Sequence, residues 1–184
     1  MQAEIVDIII IRGAPASGKS ETAKNLAKFF LKGVRLEVDT LRQMVISVDW
    51  KNQEEHINIL QLSTNLVYDF LKMGYSPVIV VDTFSGDKIN KYLDTLYLLD
   101  KELSVKIFGL FTTDNELKRR LELRSNEKFK DFEICRKLND DLIKIKRDTE
   151  FQINTTGILP KQTAEIVYRE LTSNHTFILN KNCK

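Results

Sequence analysis

Near the start of the chain, Gly13-Ala14-Pro15-Ala16-Ser17-Gly18-Lys19-Ser20 has residue types and spacing suited to holding a phosphate chain. The stretch fits G-x-x-x-x-G-K-[ST], in which a tight turn aims successive backbone N–H groups at the phosphates of a nucleotide. Gly13 and Gly18 stand where the chain turns and a phosphate comes too close for a Cβ. Lys19 would bring a point charge to the β and γ phosphates, and the Ser20 hydroxyl would ligate the Mg²⁺ that bridges them. A helix opening near Gly18, with Glu21 in its first turn, adds the partial positive charge of its N-terminus.

Such a loop needs a strand before it and a helix after it. The apolar run Ile5 to Ile11 supplies the strand, and Ala23, Leu26, Ala27, Phe30 and Leu31 supply the apolar face of a helix that Lys32-Gly33 closes. Val34 to Val38 alternates and predicts a second strand. Thr40 and Gln43 read as a capping box, leaving Asp39 at a strand's carboxyl end and Arg42 in the first turn of the next helix. Val45 to Asn52 reads as a loop bearing Trp50. A helix is expected over Glu54 to Lys72, then a buried strand Pro77 to Val81 that ends in Asp82. Lys88 to Lys101 predicts a helix and Val105 to Phe111 a fourth strand. Thr113 and Glu116 repeat the capping-box signature before a helix that carries Arg120 and Arg124 on one face. The polar stretch Ser125 to Asp131 and a helix from Phe132 to about Arg147 would form a mobile cover. Phe151 to Asn154 gives a fifth strand, and Pro160 starts the last helix. Strand and helix alternate with right-handed crossovers, so the pattern predicts an α/β fold: a five-stranded parallel sheet with helices on both faces.

Composition is consistent with one domain. The chain has 184 residues, 42% hydrophobic and 29% charged, and a formal net charge of +2, which gives no global signature of a nucleic-acid or membrane binder. Cys135 and Cys183 lie far apart without a C-x-x-C, against a zinc site or a disulfide framework. Asp7 interrupts the first apolar run, and no stretch approaches the ~20 apolar residues of a membrane span. A cytoplasmic protein in a reducing compartment is expected.

These residues resemble the small P-loop kinases, and among them the branch of polynucleotide kinase, zeta toxin and chloramphenicol phosphotransferase. The resemblance runs from Ile5 to about Leu171. It rests on the P-loop, Asp39 with Arg42 as D-x-x-R, Asp82 at the third strand's end, Arg120 with Arg124 as R-x-x-x-R, and the late turn Asn154 to Pro160. It implies a three-layer α/β/α kinase domain over residues 1–172 with a helical lid at about 118–136, and a tail over 173–184. It also implies that Asp39 takes the proton of an acceptor hydroxyl and that Arg42 holds the acceptor or its phosphate. Arg120 would pack on the adenine or steady the lid, and Arg124 would meet charge developing on the γ-phosphoryl group. Asp82 is implied as a ligand of Mg²⁺, a contact of the acceptor, or both. The third-strand motif reads Asp82-Thr83-Phe84 where the branch often has D-x-N, and the D-G-x-P-R run of nucleoside-monophosphate kinases is absent.

The expected function is ATP-dependent transfer of a γ-phosphoryl group to a hydroxyl of a small molecule or a nucleic-acid 5′ end. Ala14 to Ser17 and Glu21 would join the glycines, Lys19, Ser20 and Arg120 in binding the nucleotide, and ATP and Mg²⁺ would be required. The rivals are a regulatory ATPase or switch and a nucleoside-monophosphate kinase. No glutamine is evidently placed to orient a water, as a switch ATPase would need. His56, among Glu54, Glu55 and Asn58, and His175 read as bystanders. Trp50 is a candidate for lining the acceptor pocket and Tyr68 a core residue. A modestly basic stretch from Lys128 to Arg147 keeps a nucleic-acid end among the acceptors.

Overall fold

A computed structural model describes residues 6–145 and 147–173. The expected tail from residue 174, with His175 and Cys183, lies outside the described residues, as does the Ile5 end of the first expected strand. The elements run β1 Ile8–Gly13, α1 Lys19–Leu26, β2 Val34–Glu37, α2 Val38–Gln43, α3 Gln53–Lys72, β3 Val78–Asp82, α4 Lys88–Leu99, β4 Val105–Phe111, α5 Asp114–Glu122, α6 Phe132–Lys144, β5 Glu150–Asn154 and α7 Pro160–Thr172.

Four isoleucines in β1 decide the layering. Successive strand side chains point to opposite faces. Ile8 and Ile10 therefore join one core, with Leu60 and Val67 of α3 and Ile89, Tyr92 and Leu96 of α4. Ile9 and Ile11 join the other, with Ala23 and Leu26 of α1 and Ala164, Val167 and Leu171 of α7. Both faces of β1 are covered, which is why its sequence is a continuous apolar run. The sheet is parallel throughout in the order β2-β3-β1-β4-β5, giving the three-layer α/β/α fold expected. The chain order leaves β1 for β2 on one side and crosses β1 again to reach β4 on the other. The loops at the carboxyl ends of β1 and β3 thus flank a switch point of the kind that binds ligands in open α/β sheets. A third, smaller cluster of Leu117, Leu121 and Cys135 holds α5 and α6 together and takes in Ala16 of the P-loop. Among the described residues no helix is long and apolar enough to cross a membrane.

Several local expectations differ from the structure. The helix after the P-loop tightens into a 3₁₀ turn at Ala27–Phe29, well short of Lys32. Gly33 therefore caps nothing; a Cβ there would meet the Pro77 carbonyl oxygen at 2.7 Å, so close approach of the β3 entry is what requires glycine. α2 begins at Val38 rather than after Thr40, with Glu37 at its N-cap and no side-chain cap. Thr113 does sit at the N-cap of α5, but Glu116 turns its carboxylate to Arg119 and Arg120 instead of reaching back. α6 ends at Lys144, short of Arg147.

A buried ion pair braces the sheet under the site. Arg12 Nε and Nη2 each donate to Glu150 at 2.9 Å, and Nη1 donates to the Phe84 carbonyl at 3.2 Å. Both side chains are essentially inaccessible. Removing one partner would strand a charge in the interior, whereas removing both need not. Arg12→Met alone is accordingly expected to lower the unfolding free energy by about 3–5 kcal/mol, and Arg12→Met with Glu150→Leu by much less. Urea unfolding monitored by circular dichroism checks the difference.

Candidate active site

The loop after β1 closes into the expected cradle. Gly13 adopts φ +151, and a Cβ there would collide with the Leu110 carbonyl oxygen; Gly18 adopts φ +99 at the N-cap of α1. Ser17 N donates to Ala14 O at 3.1 Å and sets the turn. The N–H groups of Gly18, Lys19, Ser20 and Glu21 find no backbone acceptor among the described residues, as expected for the first turn of a helix. Ser17 Oγ is buried without a hydrogen-bond partner, an orphaned polar atom inside the turn. Lys19 Nζ donates to Ala14 O at 2.9 Å. Unspent backbone donors at the start of α1, with the Lys19 ammonium beside them, fit a bound polyphosphate.

The cradle opens on a cleft of about 1130 Å³. One side is formed by Pro15 to Thr22 of the P-loop, by Glu116, Arg119, Arg120 and Arg124 of the α5 region, and by Thr155 and Gly157 to Pro160 at the entry to α7. The other is formed by Glu37, Asp39, Thr40, Gln43, Trp50 and Val81 to Thr83. Of the sequence-predicted site residues, Pro15 to Glu21, Asp39, Asp82, Arg120 and Arg124 line one cleft, while Gly13 and Ala14 do not. Arg42 does not line it. It is buried in the last turn of α2 with its guanidinium 4.5 Å from the Trp50 ring centroid, and Nη2 donates to the Asp49 carbonyl at 3.2 Å. Trp50, half exposed, lines the cleft with the Arg42 guanidinium against its ring.

Four charged groups face one another across this space. Burial pushes the Lys19 ammonium down to about 8, opposed by Asp82 and Asp39 and reinforced by Arg124. Burial raises the Asp39 carboxyl, and Asp82 raises it further, while Lys19, His56 and Arg42 pull the other way. Burial works upward on Asp82 too, but the His56 imidazole, the Phe84 N–H and Lys19 outweigh it and hold that carboxyl below its ordinary value. The two carboxylates are thereby pushed in opposite directions, the pattern that separates a proton acceptor from a fixed anion. Burial lowers Arg124, whose Nη1 donates to the Phe129 carbonyl at 3.2 Å.

Arg120 spends its donors on the frame. Nε bonds Glu116 at 2.7 Å, Nη1 reaches Ser17 O at 3.3 Å and Thr155 Oγ1 at 3.0 Å, and Nη2 bonds Thr155 O at 2.6 Å. It ties α5, the P-loop and the β5–α7 turn into one piece. Two residues go beyond the sequence reading. His56, read from the sequence as a bystander, is buried in the first turn of α3 with Nε2 3.5 Å from Asp82 Oδ2. Its spacing from Leu60, Ser63 and Val67 continues the buried stripe of α3, a signal its acidic neighbours concealed. Gln43 opens on the cleft although no glutamine was expected there.

For a metal, among the described residues no three of His, Cys, Asp and Glu lie together as a ligand set. The Ser20 hydroxyl and the Asp82 carboxylate are hard oxygen donors on the same cleft, and they suit an ion that takes its other ligands from phosphate and water.

A family model described as an AAA domain matches residues 8–144, from β1 through α6. No curated protein matches the chain. Among solved structures, APS kinase from Mycobacterium tuberculosis, determined with AMPPNP and APS, aligns with a TM-score of 0.69 at 15% identity, covering 91% of this chain and 97% of that one. The tunicamycin resistance protein of Deinococcus radiodurans aligns at 0.65 and 22% identity, covering 90% and 95%. A sugar kinase from a Janibacter species aligns at 0.64 and 17%, covering 88% and 92%. The shared feature is the P-loop kinase fold.

Proposed function

Because the chain belongs to the AAA domain family of P-loop proteins, we propose that it is an ATP-dependent phosphotransferase acting on a hydroxyl group. The observation that carries this reading is that the phosphate cradle and Asp39, a carboxylate with a raised pKa and no hydrogen-bond partner among the described residues, open on the same cleft. The acceptor oxygen attacks the γ-phosphorus, the bond to the bridging oxygen of ADP breaks in line, and the hydroxyl proton passes to Asp39. Lys19 and the backbone N–H groups of the cradle hold the phosphates, and Arg124 meets the charge that develops on the equatorial oxygens. Ser20 and Asp82 would hold Mg²⁺, which when bound neutralises phosphate charge. His56 and the Phe84 N–H keep the Asp82 carboxylate ionised and in place. Arg42 acts on the acceptor side through Trp50.

The test is ADP release from ATP with and without hydroxyl compounds. Acceleration by an acceptor is expected. Gln43 favours a second reading, since a glutamine in such a cleft can orient an attacking water, as in a switch ATPase. ATP turnover indifferent to every acceptor and reduced by Gln43→Ala would support that reading instead.

Lys19 also links binding to pH. Its ammonium stands at about 8 in the free protein, and phosphate anions beside it would raise that value. Above about pH 8 the free protein has lost this proton and must recover it on binding. Nucleotide affinity should therefore fall as pH rises through this range, with proton uptake. Calorimetry in two buffers of different ionisation enthalpy measures the uptake directly.

A further inference from the structure

The cleft is charged unevenly, and the unevenness bears on what the acceptor can be. Its cations, Lys19, Arg119, Arg120, Arg124 and Lys128, all come from the P-loop and the α5–α6 segment, where three glutamates also line it. The facing wall contributes Glu37, Asp39 and Asp82, and no cation lines it among the described residues. The other groups near this wall that can carry positive charge do not line the cleft and are engaged, and Lys88, which senses Asp82, donates to Gln53 Oε1 at 2.8 Å. Arg35 pairs with Glu37, His56 with Asp82, and Arg42 with the Asp49 carbonyl and, at 4.0 Å, with Glu55.

With Lys19 and Arg124, the cleft cations that sense Asp39, committed to the phosphates of bound ATP, a phosphate or carboxylate on the acceptor would meet the Asp39 carboxylate with no cation of this wall to receive it, a juxtaposition that interfaces use to reject partners. Hydroxyl and ammonium groups would instead donate to Asp39, which has room for them. The wall also offers one large apolar surface. Trp50 has one side against the Arg42 guanidinium and contributes to the cleft, and its relative exposure is 47%. An indole held in place by a stacked guanidinium is a platform for a flat ring or for the C–H face of a saturated one.

Resting on the phosphotransferase reading above, we infer that the acceptor is a cyclic alcohol seated on Trp50 that carries no phosphate or carboxylate and is favoured by an amino substituent. The class covers amine-bearing and neutral ring polyols and leaves out nucleotides and nucleic-acid ends, which bring a phosphate to this wall. It assigns specificity to Trp50, with Asp39 as the charge filter and Arg42 as the support of the ring.

The chain has one tryptophan, so its emission reports on this wall alone. Protein loaded with Mg²⁺ and AMPPNP is titrated with glucosamine, glucose and glucose 6-phosphate, three probes on one ring skeleton that differ in charge. The expected order of affinity follows the charge, amine first and phosphate ester last, with at least a ten-fold gap between those two. Asp39→Asn should narrow the gap several-fold, because it removes a charge and keeps the shape. Phosphate-ester binding equal to or tighter than amine binding, no discrimination among the three, or a gap unchanged in Asp39→Asn would overturn the inference. Failure of AMPPNP to raise the melting temperature would instead count against the phosphotransferase reading itself.

Discussion

Lys19→Ala is expected to abolish nucleotide-dependent turnover while leaving the fold intact or slightly more stable. The two halves of this expectation have one cause. In the free protein the ammonium sits where burial disfavours its charge, bonded to a single carbonyl, Ala14 O. Its pKa in the folded chain lies below that of the unfolded chain, so the protonated lysine costs stability at neutral pH, and the cost disappears only as pH rises beyond about 8. A site that holds an under-compensated cation is waiting for an anion. Alanine relieves the cost, so thermal unfolding without ligand should move upward or stay level. With ATP the sign reverses, because the parent protein gains the ligand's stabilisation and the variant loses most of it. Loss of one preorganised electrostatic group lowers a transfer rate by roughly 10²–10³-fold, before any loss of ATP binding is counted. Melting curves with and without ATP, together with steady-state turnover, measure both halves. Full activity in Lys19→Ala would remove the cradle from the mechanism.

What the sequence made legible was what local chemistry dictates. The P-loop is specified by residue types over a few positions, and the parallel sheet by the unbroken isoleucine run of β1 and the run Val78 to Val81 of β3. Features that depend on distant partners were hidden. The Arg12–Glu150 pair joins residues 138 positions apart, and at a strand end an arginine reads as solvated unless its partner is known. His56 looked like a polar helix start because its neighbours are acidic; what buries it is the packing of α3 against the end of β3. Arg42 was expected from the family pattern to reach the acceptor, and nothing local announced that Trp50 would stack on it.

Capping failed for a related reason. Thr40 carries the right residue type for an N-cap, but the strand already ends at Glu37, so the helix starts before the cap residue is reached. That early start has a functional result. It places Asp39 in the first turn of α2, with its charge favoured by the helix N-terminus and disfavoured by burial and by Asp82. Burial and Asp82 prevail, and the carboxyl is raised.

Asp39→Asn is therefore the variant that addresses the chemistry itself. Asparagine keeps the shape of the side chain, and the cradle and Lys19 remain, so ATP should still bind and still raise the melting temperature. The amide cannot take the acceptor's proton, and the transfer rate should fall by about 10²–10⁴-fold, the usual contribution of a positioned general base. The pH profile makes the assignment specific. A carboxyl whose folded pKa is raised becomes an effective base only above that raised value, so the acid limb of the parent protein's kcat/KM, which reports the free protein, should lie above the ordinary aspartate value. In Asp39→Asn that limb should vanish. In a protein with Asp82→Asn it should move down toward the ordinary value, because Asp82 is the second cause of the shift after burial. The raised pKa also means that ionised Asp39 costs stability at neutral pH, so the asparagine variant should melt no lower than the parent. A rate within a few-fold of the parent, or an acid limb unchanged in both variants, would make Asp39 a structural residue and leave the proton to the phosphate or to solvent.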